Sequence, residues 1–323
     1  MKTTKTAIIV PSIREHSIQQ FVEEWNIDDC DDYTLFVIED NPTKTFKFPE
    51  YVRHYSHENI DAEFPCPEII GRKTDAVRIF GFWKAWQEGY DYILTLDDDC
   101  YPNEKSIYPM QDLIEKHKKM SKINNPKLFN TMSRGFARGV PSYLKEKVKV
   151  GLSVGGWTNV PDIDGKTQLF LEKENLNFPA GKTKPEIISY GQLFAMSGMH
   201  VFFPIENVKY MYYFPHLDTY YRWADIWLGF CLKKLFDAQN IAIVNGAGLI
   251  KHSRASNAQK NFDLESTNYG YQMNDKFAAI LHESKVNQFD DLLFILKGIS
   301  PYFEKIAVNY GKWHNLFEAT NGT

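Results

Sequence analysis

The sequence predicts an α/β protein: a mostly parallel sheet flanked by helices, with a small helical appendage at the C-terminal end. Three observations point there. Short apolar runs stop abruptly at a proline or a polar cluster, as buried strands do. Segments with helical spacing separate them. Those segments are long enough to serve as right-handed crossovers between parallel strands.

Residues 7–10, four apolar residues ended by Pro11, read as the first buried strand. Residues 15–25 have helical spacing, with Ile18, Phe21 and Trp25 on one face. Residues 34–38 form a second buried strand closing on Glu39-Asp40-Asn41-Pro42, and 51–55 are a candidate third. Residues 72–89 read as one helix, because Ala76, Ile79, Phe80 and Trp83 recur at i, i+3, i+4 and i+7, with Trp86 following. Residues 92–96 return to strand. Ligands on such sheets bind beyond the carboxyl ends of the strands. The clusters that end these strands, Pro11-Ser12-Ile13-Arg14, Glu39-Asp40-Asn41 and Asp97-Asp98-Asp99, should therefore converge on one crevice.

From about 120 to 200, Asn124-Asn125-Pro126, Gly135, Gly139-Val140-Pro141 and Gly155-Gly156 predict loops and short strands. Helical periodicity returns over 222–237, with Trp223, Ile226, Trp227 and Phe230 on one side. Residues 241–244 predict a strand, and helices near 269–281 and 289–310 would make the appendage. A catalytic domain over 1–260 with a helical extension over 261–323 is the expected division.

The 323 residues, 43% hydrophobic, suffice for a large core in one big domain or two modest ones. A net charge of -4 argues against a general nucleic-acid binder. No apolar run approaches the roughly 18 residues of a transmembrane helix. The opening Met-Lys-Thr-Thr-Lys-Thr leads into a strand rather than a signal peptide. Cys30, Cys66, Cys100 and Cys231 form no C-x-x-C pair, so a reducing, cytoplasmic setting is expected.

Asp97-Asp98-Asp99 carries the strongest chemical signal. Three carboxylates directly after a buried strand repel one another unless a cation or hydrogen-bond donors neutralise them. Mg²⁺ or Mn²⁺ is held by one or two carboxylates plus substrate phosphates, which suits a rigid strand end with open positions. A solvated acidic turn, or a cap for a helix after Pro102, is the alternative. An aspartyl-phosphate phosphatase would need a small Thr or Val where Tyr101 stands.

Three other segments matter. His252 lies among Lys251, Ser253, Arg254 and Asn257, side chains suited to phosphate oxygens, although such a run is also an ordinary polar loop. Asp225 opens a helix with otherwise apolar faces, either favouring the helix dipole or serving as a rigid active-site acid. Arg138-Gly139-Val140-Pro141 is a turn whose arginine reads by itself as a surface residue, and Trp157 is either core or a sugar platform.

Taken in order, the segments resemble the reversibly glycosylated polypeptides, the family that includes UDP-arabinopyranose mutases. Val10-Pro11-Ser12-Ile13-Arg14 resembles the family's V-P-T-I-R, and Asp75-Ala76-Val77-Arg78 with Phe80-Gly81 its D-S-A-C-R-x-F-G. Asp97-Asp98-Asp99-Cys100 is its D-D-D-C unchanged. Trp157 to Asp164 resembles W-L-N-I-P-D-Y-D, Phe194 to Met199 resembles F-P-M-C-G-M, and His252 to Asn257 resembles H-S-K-A-S-N. The resemblance covers nearly the whole chain.

It implies a GT-A-like glycosyltransferase fold in which Mn²⁺ or Mg²⁺ grips the diphosphate of a nucleotide sugar, a UDP-sugar first. Asp97 and Asp99 would be the D-x-D pair and His252 a further ligand. Ser12, Arg14, Asp40, Arg72, Asp75 and Asp98 would line the nucleotide crevice. The reversibly glycosylated arginine falls on Arg138, and Arg254 would be a second cation on the diphosphate. Family members often assemble, so a homo-oligomer is implied as well, and a place in cell-wall or surface-polysaccharide biosynthesis. Three departures stand out: Lys145 replaces the family's second arginine, Ala224-Asp225 replaces a pair of acids, and His200 replaces an asparagine. The activity implied is a pyranose–furanose mutase with self-glycosylation, with Asp225 beside the anomeric carbon. The rivals are a glycosyltransferase serving a separate glycan acceptor and an inactive scaffold subunit.

Overall fold

The computed structural model describes residues 4–176, 184–253 and 257–318. Strand β1 (Thr6–Ser12) is buried almost throughout, as its apolar run requires, and helix α1 (Glu15–Glu24) crosses from it to β2 (Tyr33–Glu39). Ile18 and Phe21 are the buried face of α1, and the Trp25 indole donates to Cys100 O at 2.8 Å. Strand β3 (Arg53–Tyr55) and helices α2 (His57–Glu63) and α3 (Ile79–Gln87) follow, then β4 (Tyr92–Leu96). The four strands lie side by side as β3-β2-β1-β4, all parallel.

The one helix expected over 72–89 begins differently. Lys73 sits at φ 55 and Thr74 is extended, its hydroxyl accepting from Ala76 N–H at 3.5 Å. A 3₁₀ turn over Asp75–Arg78 then feeds α3. That cap turns Arg78 inward, where the site needs it.

The second half of the sheet is mixed. After β5 (Cys100–Pro102), α4 (Pro109–Lys118) and the short β6 (Lys122–Ile123) comes β7 (Val148–Asn159), twelve residues long. Then come α5 (Gly165–Lys173), β8 (Glu186–Ile187), β9 (His200–Pro204), α6 (Ala224–Ala238) and β10 (Ala242–His252). The order continues β4-β9-β7-β10-β5, with β9 antiparallel to β4 and to β7, β7 parallel to β10, and β5 antiparallel to β10. The α/β class and the parallel first half stand as predicted. Strand β10 runs eight residues beyond the expected 241–244, through a register shift where Gly246 and Gly248 take positive φ, and so delivers His252 to the rim.

Helices α7 (Ala258–Ser266), α8 (Gly270–Glu283), α9 (Phe289–Lys297) and α10 (Pro301–Glu318) close the described chain. The single helix expected over 289–310 is two. Pro301 lacks an N–H and restricts the residue before it, so the chain breaks at Gly298-Ile299-Ser300 and restarts. The C-terminal helices share one apolar cluster with the sheet. Within it Tyr302, Tyr310 and Trp313 donate to the carbonyls of Pro215, Tyr210 and Val208 at 3.0, 2.6 and 3.0 Å. Among the described residues no helix is long and apolar enough to cross a membrane.

Candidate functional site

Strand β4 ends at Leu96, and the next three residues turn at the carboxyl edge of the parallel half. The Asp97 N–H donates to Met199 O at 3.1 Å and the Cys100 N–H to Asp97 O at 3.1 Å, which fixes the turn. The three carboxylates then part company. Asp98 points inward and is 3% exposed. Ser12 Oγ donates to its Oδ2 at 2.5 Å, Arg14 Nε does so at 3.2 Å, and Arg14 Nη2 pairs with Oδ1. Asp98 is therefore neutralised by the protein itself.

Asp97 faces outward but is anchored. Arg78 Nη2 donates to its Oδ1 at 2.5 Å. Arg78 is 1% exposed and also donates to Thr95 Oγ1, Gly198 O and Asp75 O at 3.0, 2.9 and 2.9 Å. Burial opposes its charge, yet Asp97, Tyr213 and Asp75 outweigh that and raise its pKa. Sequence reasoning passed over this residue; the available signal was a charge in the otherwise apolar run 76–83, which needs a buried partner.

Asp99 is the uncompensated acid. Burial first, then the charge of Asp97, pushes its pKa up to about 6. Arg14 Nη2 is 3.5 Å from its Oδ2, and His252 Nε2 is 3.7 Å from its Oδ1. His252 Nδ1 lies 2.7 Å from Val160 O. A carbonyl only accepts, so Nδ1 carries the proton and the lone pair of Nε2 faces Asp99. The expected trio of Asp97, Asp99 and His252 thus meets at one rim. Among the described residues no three His, Cys, Asp or Glu side chains already form a closed metal cage. Mg²⁺ or Mn²⁺ shared with a diphosphate requires no such cage. An acid held above its usual range beside a second acid and a free imidazole lone pair fits a divalent ion.

A second acidic group lies behind. Asp225 Oδ2 accepts from Gly198 N–H at 2.7 Å and Oδ1 from Ile226 N–H at 2.9 Å. Removal from water, then the charges of Asp75 and Asp162, pushes its pKa up to about 7. Asp162, which the sequence did not single out as a site residue, accepts from Ser197 Oγ at 2.7 Å. Gly198 joins the two groups: its N–H holds Asp225, and its carbonyl receives Arg78, which holds Asp97. A Cβ there would stand 2.9 Å from both Asp225 Cβ and the Tyr213 ring.

At the end of β2, both Asp40 oxygens are engaged within the protein, by His57 Nε2 at 2.6 Å and Thr74 N–H at 2.9 Å. Asp40 so ties the 72–75 turn to the end of β2. Arg72 Nη2 donates to Asp61 at 2.6 Å, and its Nη1 is buried without a partner. Asp75 is 40% exposed beside it. Trp157 packs against the core, its indole N–H buried and unpartnered.

Arg138 and Lys145 lie elsewhere. Both are exposed in the loop between β6 and β7, and Arg138 makes no hydrogen bond or ion pair among the described residues. Lys145 borders a groove with Phe129, Phe136 and Leu144. Neither has a contact with the Asp97–Asp99 turn among the described residues. Arg254 lies outside the described residues.

The sheet and its rim define an α/β protein that presents clustered carboxylates and a histidine at the carboxyl end of a parallel half-sheet. The chain belongs to the reversibly glycosylated polypeptide family, whose model matches residues 1–321. It is 29% identical to UDP-arabinopyranose mutase 1 of Arabidopsis thaliana, over 97% of this chain and 92% of that one. It is 32% identical to the probable UDP-arabinopyranose mutase 1 of Zea mays, over 97% and 90%. Among solved structures it is similar to the mannosyltransferase PcManGT from Pyrobaculum calidifontis, in complex with GDP-Man and Mn²⁺, at 10% identity and a TM-score of 0.42, over 99% of this chain and 75% of that one.

Proposed function

We propose that this chain is a nucleotide-sugar mutase that interconverts the pyranose and furanose forms of a UDP-arabinose-like substrate. Family membership supports the reaction class. The observation that carries the mechanism is the linked pair of acidic groups, Asp97–Asp99–His252 at the rim and Asp225 behind it, joined through Arg78 and Gly198. Cleaving a sugar–diphosphate bond puts negative charge on the departing oxygen and positive charge on the anomeric carbon. A divalent ion held by Asp97, Asp99 and His252 would act as a Lewis acid toward the diphosphate. Arg254 is the second cation for the diphosphate. Ser12, Arg14 and Asp98 form the rigid floor of the nucleotide crevice, and Arg72 with Asp75 borders its nucleoside end.

Asp225 serves the opposite charge. A carboxyl with a pKa of about 7 is part-ionised at neutral pH, and a cationic sugar carbon beside it favours the charged form. Its two backbone donors fix the carboxylate, so no reorientation is required as charge develops. Arg138, with Lys145 nearby in the chain, carries the sugar. A guanidinium nitrogen bonds the anomeric carbon and gives up its proton as the bond to the diphosphate breaks. The ring opens and recloses on another hydroxyl, and the diphosphate oxygen then returns to displace the reprotonated guanidinium. That role requires the loop to approach the rim. Residues 1–260 make up the catalytic unit, working in the cytoplasm.

Pure protein incubated with UDP-arabinopyranose and Mn²⁺, with no acceptor, tests this reading. A furanose nucleotide detected by NMR supports it. Slow hydrolysis alone, with sugar transferred only when a glycan acceptor is added, replaces it with the transferase reading.

A further inference from the structure

Tyr213 stands where the two acidic groups meet, and its side chain is fully buried. The Arg78 guanidinium carbon lies 5.0 Å from the centre of its ring. A Cβ at Gly198 would stand 2.9 Å from its Cε1. The ring therefore packs against both residues that join Asp97 to Asp225. Packing accounts for the ring and not for the hydroxyl.

Among the described residues this is the one buried tyrosine hydroxyl without a hydrogen-bond partner. Its neighbour Tyr212 donates to Ile69 O at 2.8 Å, and Tyr302 and Tyr310 donate to the carbonyls of Pro215 and Tyr210. A buried hydroxyl left unpaired forfeits the hydration it gave up, so each exception needs a reason. Phenylalanine would fill the same space without that loss. The surroundings point to the absent partner. The charges that bear on the hydroxyl are Arg78, then Asp225, Asp75 and Asp97. Burial holds the phenol protonated against the pull of Arg78, and the three acids reinforce it, so the group is a donor. Asp75 and Asp97 are part-exposed, which sets the hydroxyl beside the crevice and not in the closed core.

We propose that Tyr213 is a specificity residue whose hydroxyl donates to a hydroxyl oxygen of the bound sugar. The inference deepens the mutase reading and rests on it for the place of the sugar beside Asp225. The sugar's oxygens are neutral acceptors and reach the side of the crevice that Asp225 and Asp75 border. In the free protein the phenol carries an unmade bond, and only the sugar end of the substrate completes it. The contribution therefore falls on the nucleotide sugar and not on the nucleotide. An analogue with hydrogen in place of the accepting hydroxyl leaves the phenol unpaired and is rejected.

The test is titration of the full chain with UDP and with UDP-arabinopyranose, both with Mn²⁺, in the parent, Tyr213→Phe and Tyr310→Phe. Tyr213→Phe should weaken UDP-arabinopyranose binding about three- to tenfold and leave UDP binding unchanged. Its melting temperature should equal or exceed the parent's, because the hydroxyl removed has no partner in the free protein. Tyr310→Phe should do the reverse, lowering the melting temperature and leaving both affinities alone. UDP-arabinopyranose analogues lacking one sugar hydroxyl at a time locate the acceptor. For one of them the parent should lose the same factor, with no further loss in Tyr213→Phe. Full UDP-arabinopyranose binding by Tyr213→Phe, or an equal loss for UDP, would overturn the proposal. So would a lowered melting temperature with full binding, which makes the hydroxyl a core contact through water. A parent that forms no furanose yet shows the Tyr213→Phe loss overturns the mutase reading and supports the contact. Furanose formed by a Tyr213→Phe variant of full affinity does the opposite.

Discussion

The acidic rim and the β6–β7 loop carry the two halves of the expected chemistry, and they are built in opposite ways. At the rim three of the four expected side chains are anchored, Asp98 by Ser12 and Arg14, Asp97 by Arg78 and His252 by the Val160 carbonyl, with the uncompensated Asp99 set among them. The loop leaves Arg138 exposed and free of partners among the described residues. On the proposed reading, charge stabilisation is preorganised at the strand ends, whereas sugar retention falls to a segment that has to reach the rim. Substitutions of the anchored rim residues should therefore cost both activity and stability, and substitutions in the loop activity alone.

The largest effect is expected from Asp99→Ala: turnover falls by on the order of 10³-fold, and nucleotide affinity no longer responds to Mn²⁺. Metal-dependent affinity persisting in that variant would remove Asp99 from the site. Arg78→Ala comes next. It strands Asp97, Thr95 and Gly198 O at once and should destabilise the fold by about 3–5 kcal/mol, read from denaturant midpoints. A loss below about 1 kcal/mol would show the anchor to be incidental. Gly198→Ala should cost about 1–3 kcal/mol through its collision with Asp225 and Tyr213, and should depress turnover more than nucleotide affinity.

The pH response divides the molecule in the same manner. A second buried group, not anticipated from the sequence, lies between α4 and the sheet. His117 Nδ1 is 2.8 Å from Ser153 Oγ, and His117 Nε2 is 2.8 Å from His200 Nε2. Burial depresses both imidazoles, His200 to about 4. A depressed pKa contributes stability above the unfolded value of 6.5 that is lost as pH falls toward 4. Asp99 and Asp225 have the reverse sign: their raised values favour the fold at low pH, and that contribution is lost as pH rises through about 6 to 7. The two effects oppose each other over the same range, about pH 4 to 7, so Asp225→Asn should unmask the histidine effect, with a melting temperature that rises more steeply with pH across that range than the parent's. The smallest effect on stability belongs to Arg138→Ala, within about 0.5 kcal/mol of the parent, while sugar labelling disappears. Full labelling by that variant would sever the loop from the reaction.

Legibility followed the same boundary. Strands β1, β2 and β4 announced themselves as apolar runs before Pro11 or acids, although β1 runs through Pro11 to Ser12 rather than ending there, and the rim residues follow them directly in sequence. Strand β7 was hidden because Gly151, Gly155 and Gly156 resemble loop punctuation. The glycine at 155 is there for close approach: a Cβ would fall 1.8 Å from the His200 ring. Arg78, Asp162 and Gly198 were illegible as site residues because their importance lies in partners 19 to 120 positions away. Arg138 is legible as a motif and not as a position in space.

The most direct measurement is calorimetric titration of UDP with and without Mn²⁺ at pH 6, repeated in buffers of different ionisation enthalpy. The rim as described gives an affinity at least about tenfold higher with Mn²⁺, together with release of a fraction of a proton as Asp99 is forced into its charged form. Identical affinities with no proton released would contradict it.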